Sequence, residues 1–437
     1  MANGLVRAES QHQRIATGFL WVSFFVLIGK LSGAAKEMAV AWRYGVSDTV
    51  DAYFFIFNLV NWPVAVWFSV LTVLLVPLVA RVRSSEPEML PRFGGELVGI
   101  SLAAGALLAL LICLAVAWTT VLGASGLKDG AARQASSMVG PLSLLVPLGL
   151  VISVISAWTM AHGQHRNTLL EAVPSLTLLV VLILPHGVVP EPLAWGSLVG
   201  CALQLLWLGW PLWRARILAC PQFSFQSGAW RYFWPGFGVI VAGQAFSSLT
   251  SIVDQFFAVS LGSGAISVLN YATRFVTLIL GLGAMAISRA TLPIFSELSA
   301  SARGGELHRL AAHWAMVMFI LGAFGYAIAW VLAPWGIALL FQRGAFSAAD
   351  TVQVVSAFRY LGFQVPFYFA GLVLVAYFSA IGRYRIVAFS GVANMIVKAS
   401  LLCLLVPAYG LVGLCLSTVL MYVFSLGLLL FYYLRLH

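Results

Sequence analysis

The chain has 437 residues, 61% of them hydrophobic and 9% charged, with a formal net charge of +10. An ordinary soluble domain carries about 25% charged and about 45–50% apolar residues. This much apolar surface must face lipid, which excludes a secreted domain, a disordered chain or a cytosolic enzyme and leaves a polytopic membrane protein.

A helix needs roughly 20 apolar residues to cross a bilayer. Twelve segments qualify: 14–42, 51–80, 93–123, 132–162, 166–185, 192–213, 230–261, 266–296, 306–341, 349–381, 385–406 and 410–434. The first is too long for a signal-peptide core and has no clear cleavage site, so it is expected as a retained helix. Helix breakers stand at the joints: Gly45, Gly94-Gly95, Gly130, Gly163, the run from Pro185 to Pro192, Gly262, Gly264, Gly304-Gly305, Gly382 and Pro407. The longest polar joint, 214–229, holds Arg214, Arg216 and Pro221 and lies at the midpoint of the chain.

The cations set a topology. With the N-terminus inside, Arg7, Arg14, Arg81, Arg83, Arg92, Arg166, Arg214, Arg216, Arg231, Arg303, Arg309, Arg383, Arg385 and Arg435 fall on the cytoplasmic side. Only Arg43, Lys128, Arg133 and Arg343 fall outside. Both termini are therefore expected in the cytoplasm. The basic charge is mostly topological, and nucleic acid is excluded as a partner.

An internal repeat is visible. Pro147 stands 16 residues before Gly163, and Pro366 stands 16 before Gly382. Gly45 precedes Pro77 by about the distance at which Gly262 precedes Pro293. Six crossings duplicated in one orientation give two bundles, 1–218 and 219–437, a plan that places a substrate site between them.

A charge at the bilayer centre costs about 2.5–3.5 kcal/mol on insertion scales, so cations and acids inside the spans are the informative positions. In the first helix Gly29 and Gly33 make a close-approach face. Lys30 lies near mid-span and is a cavity candidate. Lys36 and Glu37 are adjacent, a spacing at which helical side chains point apart. Either they belong to the cavity or they snorkel to the outer interface. Asp51 opens the second helix, where a carboxylate caps and complements the dipole. Asn61-Trp62-Pro63 puts a polar group and a kink deeper in the membrane.

Further along, Ser247, Ser248, Thr250, Ser251 and Asp254-Gln255 form a polar stripe. Arg274 sits some ten residues into the eighth segment, and its planar fork suits phosphate. Asp254 is its expected acidic neighbour. Arg289 is expected to snorkel near the cytoplasmic end. Arg359 either lines the cavity or pairs with Asp350. Glu171 and Lys398 occupy repeat-related helices, as interhelix tethers or as site residues. Ser347 is expected to cap the tenth segment.

Catalysis has little support. There is no GxxxxGK[ST] loop and no HExxH spacing. Cys113, Cys201, Cys220, Cys403 and Cys415 show no CxxC pattern and read as small packing residues. No cofactor, metal or catalytic residue is expected.

The run Gly29–Glu37, followed by Gly45, Asp51-Ala52-Tyr53-Phe54 and Asn61, resembles the MurJ/MviN branch of the multidrug/oligosaccharidyl-lipid/polysaccharide exporter superfamily. So do Tyr271-Ala272-Thr273-Arg274, Leu292-Pro293, Leu340 through Phe346, and Pro366 through Gly382. The resemblance covers nearly the whole chain. It implies translocation of undecaprenyl-pyrophosphate-linked sugars, lipid II being the best-known cargo, with a cationic cavity gripping the pyrophosphate. Lys30 and Lys36 stand where the family has arginines, Glu37 where it has an acid, and Asp51 and Arg274 match directly.

There are departures. Asn61 is followed by Trp62-Pro63-Val64-Ala65 where the family has two arginines, and Thr277 replaces an acid. Twelve spans stand against the usual fourteen. These point to an exopolysaccharide or surface-glycan repeat unit ahead of lipid II.

The expectation is thus an all-α polytopic protein of the bacterial inner membrane, with about twelve transmembrane helices in two pseudo-repeated bundles. It works as a flippase by alternating access, with Lys30, Lys36, Arg274, Asn61 and Arg359 on the substrate. Glu37, Asp51 and Asp254 serve in charge pairing or gating. Its partners are a lipid-linked oligosaccharide, membrane lipid, and glycosyltransferases and a polymerase of the same pathway. Two alternatives stay open: a cation-coupled MATE-like exporter, which needs an acidic cavity, and a non-transporting scaffold for glycan-synthesis enzymes.

Overall fold

The computed structural model describes residues 27–86, 88–121, 129–162, 169–185, 187–215, 219–300 and 304–435. Several expectations lie outside the described residues: the first span before residue 27, the turn at Gly163–Arg166, and the cations Arg7, Arg14, Lys128, Arg216 and Arg303. The side chains of Ser247, Arg289, Leu292 and Pro293 lie outside them as well.

All regular structure among the described residues is helical, as a lipid-spanning backbone that satisfies its own polar groups must be. Residues 27–44 form α1. Then follow α2 (Asp48–Ser85), α3 (Met89–Val121), α4 (Asp129–Ser143), α5 (Leu145–Ala161), α6 (Val173–Ile183) and α7 (Pro192–Arg214). After the midpoint come α8 (Trp230–Val259), α9 (Ala265–Ala300), α10 (Gly304–Phe341), α11 (Ala348–Gly362), α12 (Gln364–Ala380) and α13 (Tyr384–Arg435). Seven helical stretches among the described residues are long and apolar enough to cross a membrane.

Prolines explain where the expected spans are interrupted. Segment 132–162 breaks between α4 and α5, and 349–381 between α11 and α12. Each time the first piece ends four residues before a proline, at Ser143 before Pro147 and at Gly362 before Pro366. Proline has no N–H to donate to that carbonyl, and its ring crowds it. At the other extreme, α13 has 52 residues, about 78 Å if straight. It is not straight: Gly410 adopts φ 57°, ψ −132°, three residues after Pro407. The two expected spans meet at that kink.

The structure divides into two compact units. The first takes the chain through Arg43, then Ile56–Ser125 and Ala132–Gln244; the second takes Tyr44–Phe55, Gly126–Ala131 and Ala245 onward. In the first, α3 packs on α5, α5 on α7, and α7 on α6. Its core includes Leu71, Leu75, Phe93, Val154 and Trp158. In the second, α9 and α10 both pack on α12, which also carries α13, around Phe295, Val373, Leu374, Phe378 and Leu429.

The repeat is legible within each unit. A Cβ on Gly105 of α3 would overlap the Cα of Pro147, and one on Gly322 of α10 would lie 2.9 Å from the Cα of Pro366. The same glycine-on-proline contact brings α3 to α5 and α10 to α12.

Candidate functional site

The residues that most mark the sequence collect into one knot in the second unit. Gly45 turns the chain after α1 with φ +59°, and a side chain there would overlap the carbonyl of Ala345. Asp51, only 2% exposed, directs its carboxylate at the start of α9. It accepts the backbone N–H of Gly264 at 2.6 Å, the N–H of Ser267 at 2.7 Å, and the Ser267 hydroxyl. Asp48 accepts the hydroxyl of Ser263 beside it. Asp51 is therefore a cap, but for α9 rather than for its own helix. Nothing in the sequence assigns Ser267 or Gly264 to this contact. Their only signal is the Gly262-Ser263-Gly264 turn ahead of an apolar run.

Tyr271 closes the knot. It is fully buried and its hydroxyl donates to the Gly45 carbonyl at 3.3 Å. Its ring meets Phe54 edge-on at 5.9 Å, Phe341 at 5.1 Å and Phe346 at 5.5 Å. Ser347 caps α11 in a reciprocal capping box with Asp350, as its sequence position indicates.

Three turns of sequence are thereby fixed to one another, and Arg274 is carried on α9 a turn beyond Tyr271. Thr273, Arg274, Thr277 and Leu278 form an exposed face of that helix. In α1, Lys30 is exposed as well. Lys36 and Glu37 correct the expectation that adjacent side chains diverge: Lys36 Nζ lies 3.0 Å from Glu37 Oε1. The long lysine stem folds back to its neighbour, and its ammonium also lies 5.8 Å from the centre of the Phe57 ring. Their side chains are 13% and 8% exposed, so neither is held at the surface.

Asn61 lines a cavity of about 350 Å³ inside the first unit, together with Ser153, Ser156, Glu171, Cys201 and Gln204. Glu171 and Asn61, far apart in sequence, are thus brought together. Asp254, expected beside Arg274, is instead bonded to Lys398 at 2.6 Å, with side-chain exposures of 17% and 5%. Lys398 thereby tethers α13 to α8. Arg359 does not pair with Asp350, whose carboxylate serves the capping box. Its guanidinium stacks 4.0 Å from the Trp330 ring, in a groove of about 570 Å³ that Ser356, Tyr360 and Phe363 also line. Among the described residues no group of three or more His, Cys, Asp or Glu side chains is placed to hold a metal.

Comparison with known proteins gives a consistent answer. The model of the family described as lipid II flippase MurJ matches residues 40–437. The lipid II flippase MurJ of Burkholderia cenocepacia is 26% identical over 374 residues, covering 82% of this chain and 70% of the relative. A probable lipid II flippase MurJ of Vibrio cholerae is 27% identical over 438 residues, covering 93% of this chain and 80% of the relative. Among solved structures, lipid II flippase MurJ in an inward closed conformation superposes with a TM-score of 0.79 at 17% identity, over 94% of this chain and 87% of that one. An inward-facing multidrug resistance MATE family transporter of the MOP superfamily gives a TM-score of 0.75 at 16% identity, over 93% and 94%.

Proposed function

The chain belongs to the MurJ lipid II flippase family, and from that premise we propose that it is a flippase. It moves a polyprenyl-pyrophosphate-linked oligosaccharide from the cytoplasmic to the outer leaflet of the bacterial inner membrane. The family match across residues 40–437 carries this reading. It is a transporter of the membrane and not an enzyme. Its partners are the lipid-linked substrate and the surrounding lipid.

The finer assignments are ours. Lys30 and Arg274, exposed on their helices, contact the pyrophosphate, and Lys36, paired to Glu37, adds positive charge. Arg274 offers two parallel donors to a phosphate, whereas each lysine offers a point charge. Asn61 reaches the cargo through the cavity it lines, and Arg359 meets it from the Trp330 groove. Asp51 and Asp254 hold α9 and α8 in place, which fixes the helix that carries Arg274. Both termini are cytoplasmic, and transport proceeds by alternating access between the repeat halves. The cargo is lipid II or a related surface-glycan unit, delivered by glycosyltransferases and passed on to a polymerase.

Proteoliposomes loaded with a fluorescent polyprenyl-pyrophosphate glycan test the reading, with an impermeant quencher reporting the outer leaflet. The wild-type protein is expected to flip the lipid, and Lys30→Ala and Arg274→Ala to slow it. Absence of flipping by the wild type would overturn the function. Wild-type rates in both variants would overturn the site alone.

A further inference from the structure

Residues 219–229 form no helix, yet they are bound tightly along the first turns of α3. The Ala219 N–H donates to the Pro91 carbonyl at 3.2 Å, and the Gln222 N–H to the Gly95 carbonyl at 3.0 Å. Two glycines admit the segment. A Cβ on Gly95 would lie 2.7 Å from the Cys220 carbonyl oxygen, and one on Gly99 would overlap the carbonyl of Gln222.

The chain then comes back to Glu96, which is fully buried. The Glu96 carboxylate accepts the Ser224 hydroxyl at 2.7 Å, the Gln226 and Ser227 N–H groups at 3.2 and 3.1 Å, and the Trp230 indole N–H at 2.7 Å. Arg92 adds an ion pair at 3.4 Å. One carboxylate thus gathers the strap and the start of α8.

The strap covers a fixed length of α3. Pro91 and Gly99 are eight residues apart on α3, about 12 Å along the axis. A segment that starts beside Pro91 and reaches Gly99 follows that stretch of α3 inward from its start. Non-helical backbone within a bilayer is tolerated only where protein satisfies its polar groups. The bonds to Pro91, Gly95 and Glu96 do that.

The other face of the strap is apolar. Exposure alternates along the strap: Gln222 and Ser224 are half-buried, the Ser224 hydroxyl on Glu96, while Phe223 and Phe225 are 71% and 59% exposed. Phe225 lies 6.3 Å from Trp234, itself 49% exposed. Arg92, exposed and bonded to the Gln226 side chain, stands beside the strap. Aromatic side chains beside cations match the boundary between acyl chains and phosphates.

We propose that residues 219–229 are a re-entrant interfacial anchor. Phe223 and Phe225 insert among the acyl chains of the leaflet in which α3 begins, and the lipid phosphates meet Arg92. The occupant of this face is the bilayer itself. The anchor fixes the first unit at a set depth, and it stands whether or not the chain flips a lipid.

The test uses the full chain in nanodiscs of phosphatidylethanolamine and phosphatidylglycerol. Nitroxides are placed by Phe223→Cys and Phe225→Cys after the native cysteines are replaced. Collisions with oxygen are expected to exceed those with a water-soluble nickel complex severalfold at both positions. Collisions with nickel equal to or above those with oxygen would place the face in water and overturn the proposal. Low collision rates with both would mean a protein covers it, which also overturns it. Hydrogen exchange on the unsubstituted protein is the second measurement. Peptides spanning 219–229 are expected to exchange as slowly as α3; exchange at the rate of an open loop would remove the clamp and the anchor with it.

Discussion

The Asp51 carboxylate accepts the backbone N–H of Ser267 at 2.7 Å across 216 residues of sequence. A negative group is thus set where the unpaired N–H groups of α9 converge, the favourable end of the helix dipole. The same helix carries Arg274, so the cap positions the cation that the proposed mechanism needs.

Removing that acceptor should cost stability. Asp51→Ala leaves two amides and a hydroxyl buried without a partner, and hydrogen bonds to charged groups contribute about 1.5–3 kcal/mol each. A loss of roughly 3 kcal/mol is expected, with Asp51→Asn losing less because it keeps one acceptor. Thermal unfolding in detergent reads this directly. An Asp51→Ala protein that unfolds at the wild-type temperature would show that the cap contributes nothing.

Gly45 is held in place by two independent constraints. Its φ of +59° costs an L-residue roughly 1–2 kcal/mol, and a Cβ would overlap the Ala345 carbonyl. Gly45→Ala is therefore expected to destabilise by more than the backbone cost alone. Its effect should be non-additive with substitution of Gly344, which shapes the facing turn at φ +59°. A double-mutant cycle on unfolding temperature gives the coupling, and simple additivity would mean that the two turns do not press on one another.

How much of this was legible in the sequence depends on the range of the interaction. The capping box at Ser347 is legible because it acts within one helical turn. The breaks before Pro147 and Pro366 depart from the unbroken spans that hydropathy alone implies, although the prolines that cause them stand in the sequence. Pairings across the chain were not legible. Asp51 shows only its own helix start in the sequence, so its service to Ser267 required the fold. The bond of Asp254 to Lys398 is hidden for the same reason: its partner lies 144 residues away. Lys36 and Glu37 depart from expectation for a different reason. Helical geometry separates adjacent Cβ atoms, but four methylenes let the lysine ammonium return to its neighbour. Glu96 is silent in the sequence because nothing local to it shows that a strap 130 residues away needs an acceptor.

Lys398 and Asp254 form a buried pair, 2.6 Å apart. Breaking one side strands the other, which typically costs about 3–5 kcal/mol, whereas replacing both with apolar groups of similar volume is often neutral or stabilising. Lys398→Ala and Asp254→Ala should each unfold at clearly lower temperature. Lys398→Met with Asp254→Leu should recover most of the loss. If the double variant is as unstable as the sum of the singles, the two residues do not act as a pair.

Arg274 and Lys30 are expected to differ in how they tolerate exchange. A guanidinium can hold two phosphate oxygens at once, while an ammonium supplies charge without that planar match. Arg274→Lys should keep the attraction and lose the fork, slowing flipping by about tenfold for each 1.4 kcal/mol surrendered. Arg274→Ala should slow it further, since hydrogen bonds to a charged partner contribute about 1.5–3 kcal/mol. Lys30→Arg should preserve or raise the rate, because it adds a donor fork without altering charge. Rates in proteoliposomes at two salt concentrations separate charge from geometry. Screening weakens all the variants that retain the charge and leaves the ratio of Arg274→Lys to wild type unchanged. If Arg274→Lys flips as fast as the wild type, the fork has no part in recognition, and Arg274 acts only as a positive charge.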